Sequence, residues 1–292
     1  MKKSQKNAFT LIEIMVATAV MVVLVGLVIQ ITSQVLNVWN RSSGKLAANA
    51  QARIAMDLLT QDLETAVFRN NGMMWLEATQ EDLDNPFTIS GYKTTTLKLF
   101  APALDRPEGP GDICAIGYLL AYRNPIDGTA SGEDQTFVLY RNVVSPEDTF
   151  NNLMGDPNQL TLDGGKWSEP NIIGSGAGSE GGNFLVSSIV DFQITFYAAD
   201  DGDPNTSEEI PPGSLIRFGG ASPTVGVGAP GNFNRPLAYA DIMLRVLTDE
   251  ALAVINRGAT AYEAAGYDDW PEYIAANSEV FTRRVNFLAR PL

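Results

Sequence analysis

The sequence predicts an α+β protein in which a long N-terminal helix, membrane-spanning at first and amphipathic later, packs on an antiparallel β-sheet domain. Three observations predict this class. An apolar segment of 21 residues, 9–29, follows three lysines near the start of the chain. A helical periodicity continues from this segment to about residue 69, and short β-rich runs separated by turn residues fill the rest of the 292 residues.

The chain is strongly acidic, with a formal charge of −14. The first eight residues hold three lysines and no acid, so the remaining residues carry −17. Such a body repels phosphate backbones, which excludes nucleic acid as an expected partner. Divalent cations and basic protein surfaces are the partners that this charge favours.

The residues that most often perform catalysis are scarce. The chain has no histidine, which removes Ser-His-Asp and Cys-His catalysis and the usual zinc sites. Its one cysteine, Cys114, excludes an internal disulfide and is expected to be a small buried hydrophobe. The sequence therefore predicts a protein that is not an enzyme; a membrane-anchored hydrolase is the weakest alternative.

Residues 9–30 have the length and composition of a transmembrane helix, which needs about 20 apolar residues. Lysines precede this segment and are absent for some distance after it, which places the N-terminus in the cytoplasm and the following domain in the periplasm. The apolar character continues through Ile31 and Val35 without a signal-peptidase site of the A-x-A type, so the segment is expected to stay on the chain.

Glu13 lies one turn into this apolar segment, where an ionised carboxylate is costly. One interpretation is a side chain that reaches the lipid headgroups. The other is that a positive group meets it: if the chain were cut after Ala8, Phe9 would carry a free α-amine, and the amine of a neighbouring subunit would neutralise the acid inside a bundle of such helices.

The stretch Ala8-Phe9-Thr10-Leu11-Ile12-Glu13, between a basic leader (1–8) and an apolar helix, resembles the type IV prepilin signal. The resemblance implies that prepilin peptidase cleaves between Ala8 and Phe9 and that the Phe9 amine is methylated. It also implies that Glu13 guides assembly with other pilins or pseudopilins from the inner membrane. The chain departs from the family pattern at Ala8, where glycine is usual, and this puts the rate of processing in doubt.

Residues 31–71 are predicted to continue the helix in amphipathic form. Leu46, Ala50, Ile54 and Leu58 fall four apart. The residues expected to widen them to an apolar stripe are Ala47, Leu59, Leu63, Ala66 and Val67. The opposite side is expected to be polar, and Asn70-Asn71-Gly72 supplies a stop signal. The residues expected on that polar side are Arg53, Asp57, Gln61, Asp62 and Glu64.

Residues 72–292 are predicted to form the β-rich periplasmic domain. A short helix is expected at 248–258, with Thr248 as its N-cap and Gly258 after its end. The predicted strands are 94–102, 114–123, 135–144, 184–198, 237–247 and 279–289.

The end of the long helix (52–69) and the order of the strands resemble the J-type minor pseudopilins of type II secretion; the chain is also similar to prepilin-like cassette proteins of Verrucomicrobia type. The first resemblance implies a minor subunit at or near the tip of a secretion or pilus-like filament. The chain is longer than such proteins in segments 145–182, 199–236 and 258–278. The alternative function is therefore a filament-displayed adhesin that binds its ligand through these insertions.

An acidic loop at 198–210 places Asp201, Asp203 and Asn205 at alternating positions, a spacing of oxygen ligands that suits Ca²⁺. The loop fails the EF-hand pattern, because Thr206 stands where glycine is needed. A solvated hairpin tip is the other interpretation. No other cofactor is predicted.

Two further segments, a glycine-rich run and a cluster of aromatic residues, could in principle bind a ligand. The glycine-rich run at 174–182 lacks the lysine of a phosphate-binding loop and is expected to be a surface loop. Four aromatic residues cluster among acids at 261–274, either as a binding surface or, as we expect, as cover for a domain edge. They are Tyr262, Tyr267, Trp270 and Tyr273.

Overall fold

The computed structural model describes residues 10–69, 71–87, 89–107, 109–130, 135–162, 165–174, 183–199, 207–210, 215–220, 237–258 and 260–288. The chain divides into two compact units, Met1–Leu46 and Ala47–Leu292. The architecture is α+β, with a long apolar N-terminal helix followed by antiparallel sheets, as the sequence predicts.

Helix α1 (Leu11–Glu64) is a single element of 54 residues. Its first part is apolar and exposed, and the stretch Leu11–Leu36 is long and apolar enough to cross a membrane. The helix ends at Glu64, before the predicted Arg69, because the chain then turns toward the sheet and the N–H of Val67 donates to the carbonyl of Phe100.

From Ala47 onward, α1 buries one narrow face made mostly of small residues. Leu59 and Leu63 belong to this face, as predicted, whereas Leu46 and Ile54 are exposed and Leu58 is half-buried. The residues of the buried face are Ala48, Ala52, Ala55, Met56, Leu59, Asp62 and Leu63. The four-residue spacing beginning at Leu46 therefore describes a different side of the helix from the one that contacts the core.

The described residues of the domain form two antiparallel sheets. The first has six strands in the order β5-β4-β3-β2-β1-β8, and the second has four in the order β10-β9-β6-β7. The strands are β1 (Leu76–Asp82), β2 (Lys93–Ala101), β3 (Cys114–Arg123), β4 (Thr136–Val143), β5 (Phe184–Ser187), β6 (Ile189–Ala199), β7 (Ser207–Glu209), β8 (Leu215–Phe218), β9 (Leu237–Leu247) and β10 (Ser278–Asn286).

The predicted strand 184–198 is in fact two strands, β5 and β6, that belong to different sheets. Ser188 separates them with a φ of 65°. Its N–H donates to the carbonyl of Phe137 in β4, and its carbonyl accepts from the N–H of Leu247 in β9. Both backbone groups of this buried serine are thus satisfied at the point where the chain passes between sheets.

The sheets meet where β2 contacts β6. The hydroxyl of Thr95 donates to the carbonyl of Phe192 at 2.9 Å, and the N–H of Lys93 donates to the Asp191 carboxylate at 3.0 Å. The core lies between the sheets and the second part of α1, and its largest fully buried side chains include Trp75, Tyr118 and Phe100.

Short helices fill the connections. The segment after β4 forms α2 (Pro146–Asp148), a π-helical turn (Thr149–Leu153), α3 (Asn158–Thr161), a 3₁₀ turn (Gly165–Trp167) and α4 (Glu169–Ile173). After β9 come α5 (Asp249–Ile255), α6 (Ala261–Ala264) and α7 (Trp270–Asn277). The predicted cap of α5 is confirmed, because the Thr248 hydroxyl accepts from the N–H of Ala251.

Candidate functional site

The N-terminal motif is the first candidate site. Ala8 and Phe9, the predicted cleavage and methylation residues, lie outside the described residues, whereas Thr10 and Glu13 are described. The Thr10 N–H and hydroxyl both donate to Glu13 Oε2, at 2.8 and 2.9 Å, and the Glu13 N–H lies 3.3 Å from the Thr10 hydroxyl oxygen.

These three contacts form a capping box, in which a threonine and a glutamate three residues later satisfy each other's backbone N–H at the start of a helix. Both interpretations of Glu13 from the sequence look for its partner outside the chain, in the lipid headgroups or in a neighbouring subunit. The structure adds a partner within the chain, Thr10. The pattern Thr-x-x-Glu before an apolar run is the signal that predicts such a box. Glu13 therefore has a role within the monomer besides any role in assembly.

The apolar segment that follows is exposed along its whole length. Within Leu11–Leu36, Glu13 is the only ionisable side chain, and the most apolar window has none of its residues buried inside the fold. Exposed side chains such as Leu11, Val22 and Ile29 would be unfavourable in water over so long a stretch. A lipid bilayer provides the apolar environment that such a surface requires.

A second group of charged residues lies buried near the end of α1. Arg141 in β4 donates to Asp62 from Nε at 2.8 Å and from Nη2 at 3.1 Å, and the Tyr118 hydroxyl donates to the same carboxylate at 2.5 Å. Asp105, in the loop after β2, accepts from Arg141 at 2.6 and 3.2 Å. The prediction that Asp62 lies on the polar side of the helix is wrong, since its side chain is fully buried.

Burial determines the electrostatics of this group. Burial and the neighbouring Asp62 charge raise the pKa of Tyr118 well above its usual value, so the phenol stays a donor. Burial opposes the charged form of Arg141, but its hydrogen bonds to Asp62 and Asp105 outweigh this, and the pKa of Arg141 is raised. The group connects α1 to the first sheet through a neutral phenol and a paired guanidinium, an arrangement suited to structural support.

The predicted calcium ligands, Asp201, Asp203 and Asn205, lie outside the described residues. The adjoining strands β6 and β7 pair as a hairpin, with Tyr197 opposite Glu209 and Ala199 opposite Ser207. Among the residues that the structure describes, no group of three or more acidic, cysteine or histidine side chains is arranged to hold a metal ion. The calcium site stays a prediction.

The aromatic cluster at 261–274 is packed inward. Trp270 and Tyr273 are each only 4% exposed, and their rings contact edge-to-face with centroids 5.6 Å apart. Tyr262 lies against Trp270 and Tyr267 against Tyr273, both at 5.1 Å. This arrangement favours the covering role over a binding surface.

Cys114 is likewise buried, and burial raises the pKa of its thiol.

Comparison with known proteins adds one finding. The family model described as the prokaryotic N-terminal methylation motif matches residues 3–29. Comparisons with curated proteins and with solved structures give no significant match.

The motif and the apolar helix together support a type IV prepilin-like protein that is anchored in a membrane by its N-terminal helix. Such a protein is a substrate of the machinery that builds type IV pili or type II secretion filaments. The motif marks structural subunits and not a family of enzymes, and it implies processing by a prepilin peptidase and assembly with other pilins.

Proposed function

We propose that this chain is a minor pilin or pseudopilin, cut between Ala8 and Phe9, methylated on the Phe9 amine, and incorporated at or near the tip of a type II secretion or pilus-like filament. The basic leader stays in the cytoplasm, residues 9–30 span the inner membrane, and residues 72–292 lie in the periplasm. Residues 31–71 link the two. The matched motif supports the processing step.

The geometry at Glu13 is compatible with a second, intermolecular partner. Among the described contacts, both hydrogen bonds that its carboxylate accepts end on Oε2. Oε1 is therefore available to accept from the methylated amine of a neighbouring subunit, and the charge pair would remove the cost of a carboxylate within the bilayer. The capping box holds the acid near the start of the helix, where an adjacent N-terminus would approach it.

The observation that carries the assignment to a minor subunit is the size of the domain. A subunit repeated many times along a filament has to leave room for the copies stacked above it. Here 220 residues follow Gly72, and by the resemblance to J-type pseudopilins the segments 145–182, 199–236 and 258–278 are extra length. A position at the tip, or one occupied rarely, imposes no such limit. Quantitative mass spectrometry of purified filaments tests this assignment by counting the copies of the subunit per filament. One or a few copies per filament is the expected result; amounts equal to the main subunit would contradict it.

Contacts with other subunits are expected through the uncovered side of α1. Leu46 is 69% and Ile54 is 52% exposed, and Ala50 between them is also exposed. Apolar side chains repeated along one helix face suit helix–helix packing.

Crosslinking in assembled filaments tests this surface. Ala50→Glu and Ile54→Glu are expected to lower crosslinking to partner pilins while the domain stays folded, since neither side chain reaches the core. Ile126→Glu, at a turn position that is 80% exposed, is the matched control and should leave crosslinking unchanged. Equal crosslinking by all four proteins, wild type included, would remove this face from the assembly surface.

A further inference from the structure

The apolar stretch of α1 is longer than the hydrocarbon core of a bilayer. Leu11–Leu36 has 26 residues, which as a helix is about 39 Å long, whereas the core of a bilayer is ~30 Å thick. A span with excess length is accommodated by tilting, and the residues that flank the span set the tilt. The end of the stretch therefore decides how the helix leaves the membrane.

The helix surface changes character at this end. Residues 19–29 hold no polar side chain, whereas the segment 30–39 has an apolar side and a polar side. Gln30 and Gln34 are exposed on the polar side, opposite Trp39 on the helix. The apolar side carries three residues spaced four apart, and we call them the exit stripe. They are Ile31, Val35 and Trp39, whose exposed fractions are 59%, 59% and 71%.

The fold does not cover the exit stripe. Among the described residues of α1, the first that is buried is Ala48, more than two turns beyond Trp39. No described residue donates to, accepts from or stacks on the Trp39 indole. A tryptophan favours the boundary of a bilayer, where its ring contacts apolar groups and its N–H contacts headgroups and water. That boundary adjoins the stripe, because the stripe continues the surface of the span.

We propose that the exit stripe lies against the lipid at the bilayer surface, and that Trp39 anchors the helix there and fixes its depth and tilt. The helix leaves the hydrocarbon obliquely. Ile31 and Val35 still contact acyl chains, the Trp39 indole lies among the headgroups, and Gln30 and Gln34 face the water. This inference rests on the proposed anchoring and extends the proposed span, residues 9–30, along one side of the helix only.

A lipid surface fits the exit stripe better than the helix of another subunit. Helices that pack closely in a membrane use small residues at the contact, whereas a tryptophan holds them apart. Leu46 lies seven residues beyond Trp39 and hence on the same face, within the surface proposed for contacts with other subunits. Lipid therefore covers the membrane end of this face before assembly, and incorporation into a filament has to lift Trp39 off the lipid.

Tryptophan fluorescence of the full chain, in lipid nanodiscs loaded with one copy each, tests the position of the anchor. The difference between wild type and Trp39→Phe isolates Trp39 from the other tryptophans. One probe is iodide, a quencher confined to water. The others are lipids brominated either just below the headgroup or near the end of the acyl chain. Trp39 should be protected from iodide and quenched most by the lipid that is brominated below the headgroup.

Ser43 provides the matched position for this measurement. It is exposed and lies one turn beyond Trp39 on the same face. Trp39→Phe combined with Ser43→Trp moves the indole about 6 Å along the axis and out of the headgroups, so iodide should quench it at least about twofold more strongly. Lipid quenching should fall in the same variant.

A cysteine at position 35 measures what the anchor does. Val35→Cys adds a thiol that a water-soluble maleimide labels, while the buried Cys114 stays unlabelled. Adding Trp39→Ser should raise the labelling rate about tenfold or more, because even a half-buried tryptophan removes ~100 Å² of apolar area from water. Adding Ser43→Ala instead should leave the rate within about twofold, since no anchor is lost.

Three outcomes would overturn the proposal. They are equal iodide quenching of the indole at the two positions, unchanged labelling after Trp39→Ser, and protection of Trp39 that appears only when a nanodisc holds several copies, which would indicate a helix–helix contact. A chain that does not enter nanodiscs at all would overturn the anchoring as well. Cleavage and methylation at Phe9 are measured separately, so their failure would leave this inference standing.

Discussion

Glu13 accepts hydrogen bonds from both the backbone N–H and the hydroxyl of Thr10, at 2.8 and 2.9 Å. One acid thus closes a capping box at the start of α1 and remains the only ionisable side chain of the segment expected to cross the membrane. The two roles make different demands. Capping needs any good acceptor at this position, whereas pairing with a neighbour's amine needs a negative charge.

Substitutions at the two residues separate these roles. Glu13→Gln keeps an amide oxygen for the box but removes the charge, so it should leave membrane insertion intact and lower incorporation into filaments. Glu13→Ala should insert as well or better, because a charge is removed from the bilayer, and should also assemble poorly. Crosslinking of assembled subunits measures incorporation.

Thr10→Ala is the matched control. It removes the threonine half of the box, at a cost of about 1 kcal/mol to the start of the helix, but keeps the carboxylate. Incorporation should therefore survive. Normal incorporation of Glu13→Ala would show instead that the acid merely reaches the headgroups.

The buried pair Asp62–Arg141 is expected to dominate the attachment of α1 to the first sheet. Asp62→Ala leaves the guanidinium buried without its main partner and should lower the free energy of unfolding by about 3–5 kcal/mol. Asp105→Ala removes an acid that is 57% exposed, and its cost should stay below about 1 kcal/mol. Denaturant unfolding of the full chain in detergent, followed by tryptophan fluorescence, measures both.

A double variant checks the physical reason. Asp62→Leu combined with Arg141→Met replaces the pair by apolar side chains and should be more stable than Asp62→Ala alone. If Asp62→Ala and Asp105→Ala cost the same, the buried pair does not carry the attachment.

Asp191 is expected to give the domain a distinctive dependence on pH. Burial raises the pKa of its carboxyl, against the opposing hydrogen bonds from Gln193 and the Lys93 N–H. Because the folded state then takes up a proton at a higher pH than the unfolded state, stability from this group rises as the pH falls from neutral through the raised pKa. The gain is complete at the ordinary pKa of an aspartate.

Asp191→Asn keeps an acceptor oxygen for the Lys93 N–H and removes the titration. Unfolding of wild type and variant should therefore differ most at neutral pH, with the variant the more stable, and converge as the pH falls. A difference that widens on acidification would contradict the assigned direction of the shift.

The acidic loop at 198–210 is expected to bind one Ca²⁺ ion through Asp201, Asp203 and Asn205. Calorimetric titration should detect one site that is lost when Asp201→Asn and Asp203→Asn are combined, since two of three proposed oxygen ligands lose their charge. Absence of both heat and thermal stabilisation at millimolar Ca²⁺ would establish a plain hairpin loop.

Local patterns predicted most of the elements but not their partners. The strands β3 and β9 agree with their predicted bounds, because their β-rich runs are bounded by turn residues. The break at Ser188 could not be predicted, because the alternation of apolar and polar residues continues across it. Only the folded structure shows that the residues after Ser188, Phe192 among them, belong to the second sheet. Strand β1 was missed as well, because Glu77 and Glu81 make LEATQED appear polar, although Lys98 and Arg217 on neighbouring strands pair with Glu77.

The candidate sites divide in the same way. The N-terminal motif is contiguous, so the sequence alone identified Glu13 and its neighbours. The partners of Asp62 come from β3 and β4, Asp105 in the loop after β2 joins the group through Arg141, and no spacing along the chain connects these residues.

N-terminal mass spectrometry of the protein extracted from membranes tests the central claim most directly. The account predicts that the mature chain begins at Phe9, with one added methyl group on its amine and with residues 1–8 absent. If Ala8 slows the cleavage, the membranes will contain both the uncut chain and the chain that begins at Phe9. The chain that begins at Phe9 should then accumulate when prepilin peptidase is overproduced. A mature chain that begins at Met1 under those conditions, or after any residue other than Ala8, would contradict the account.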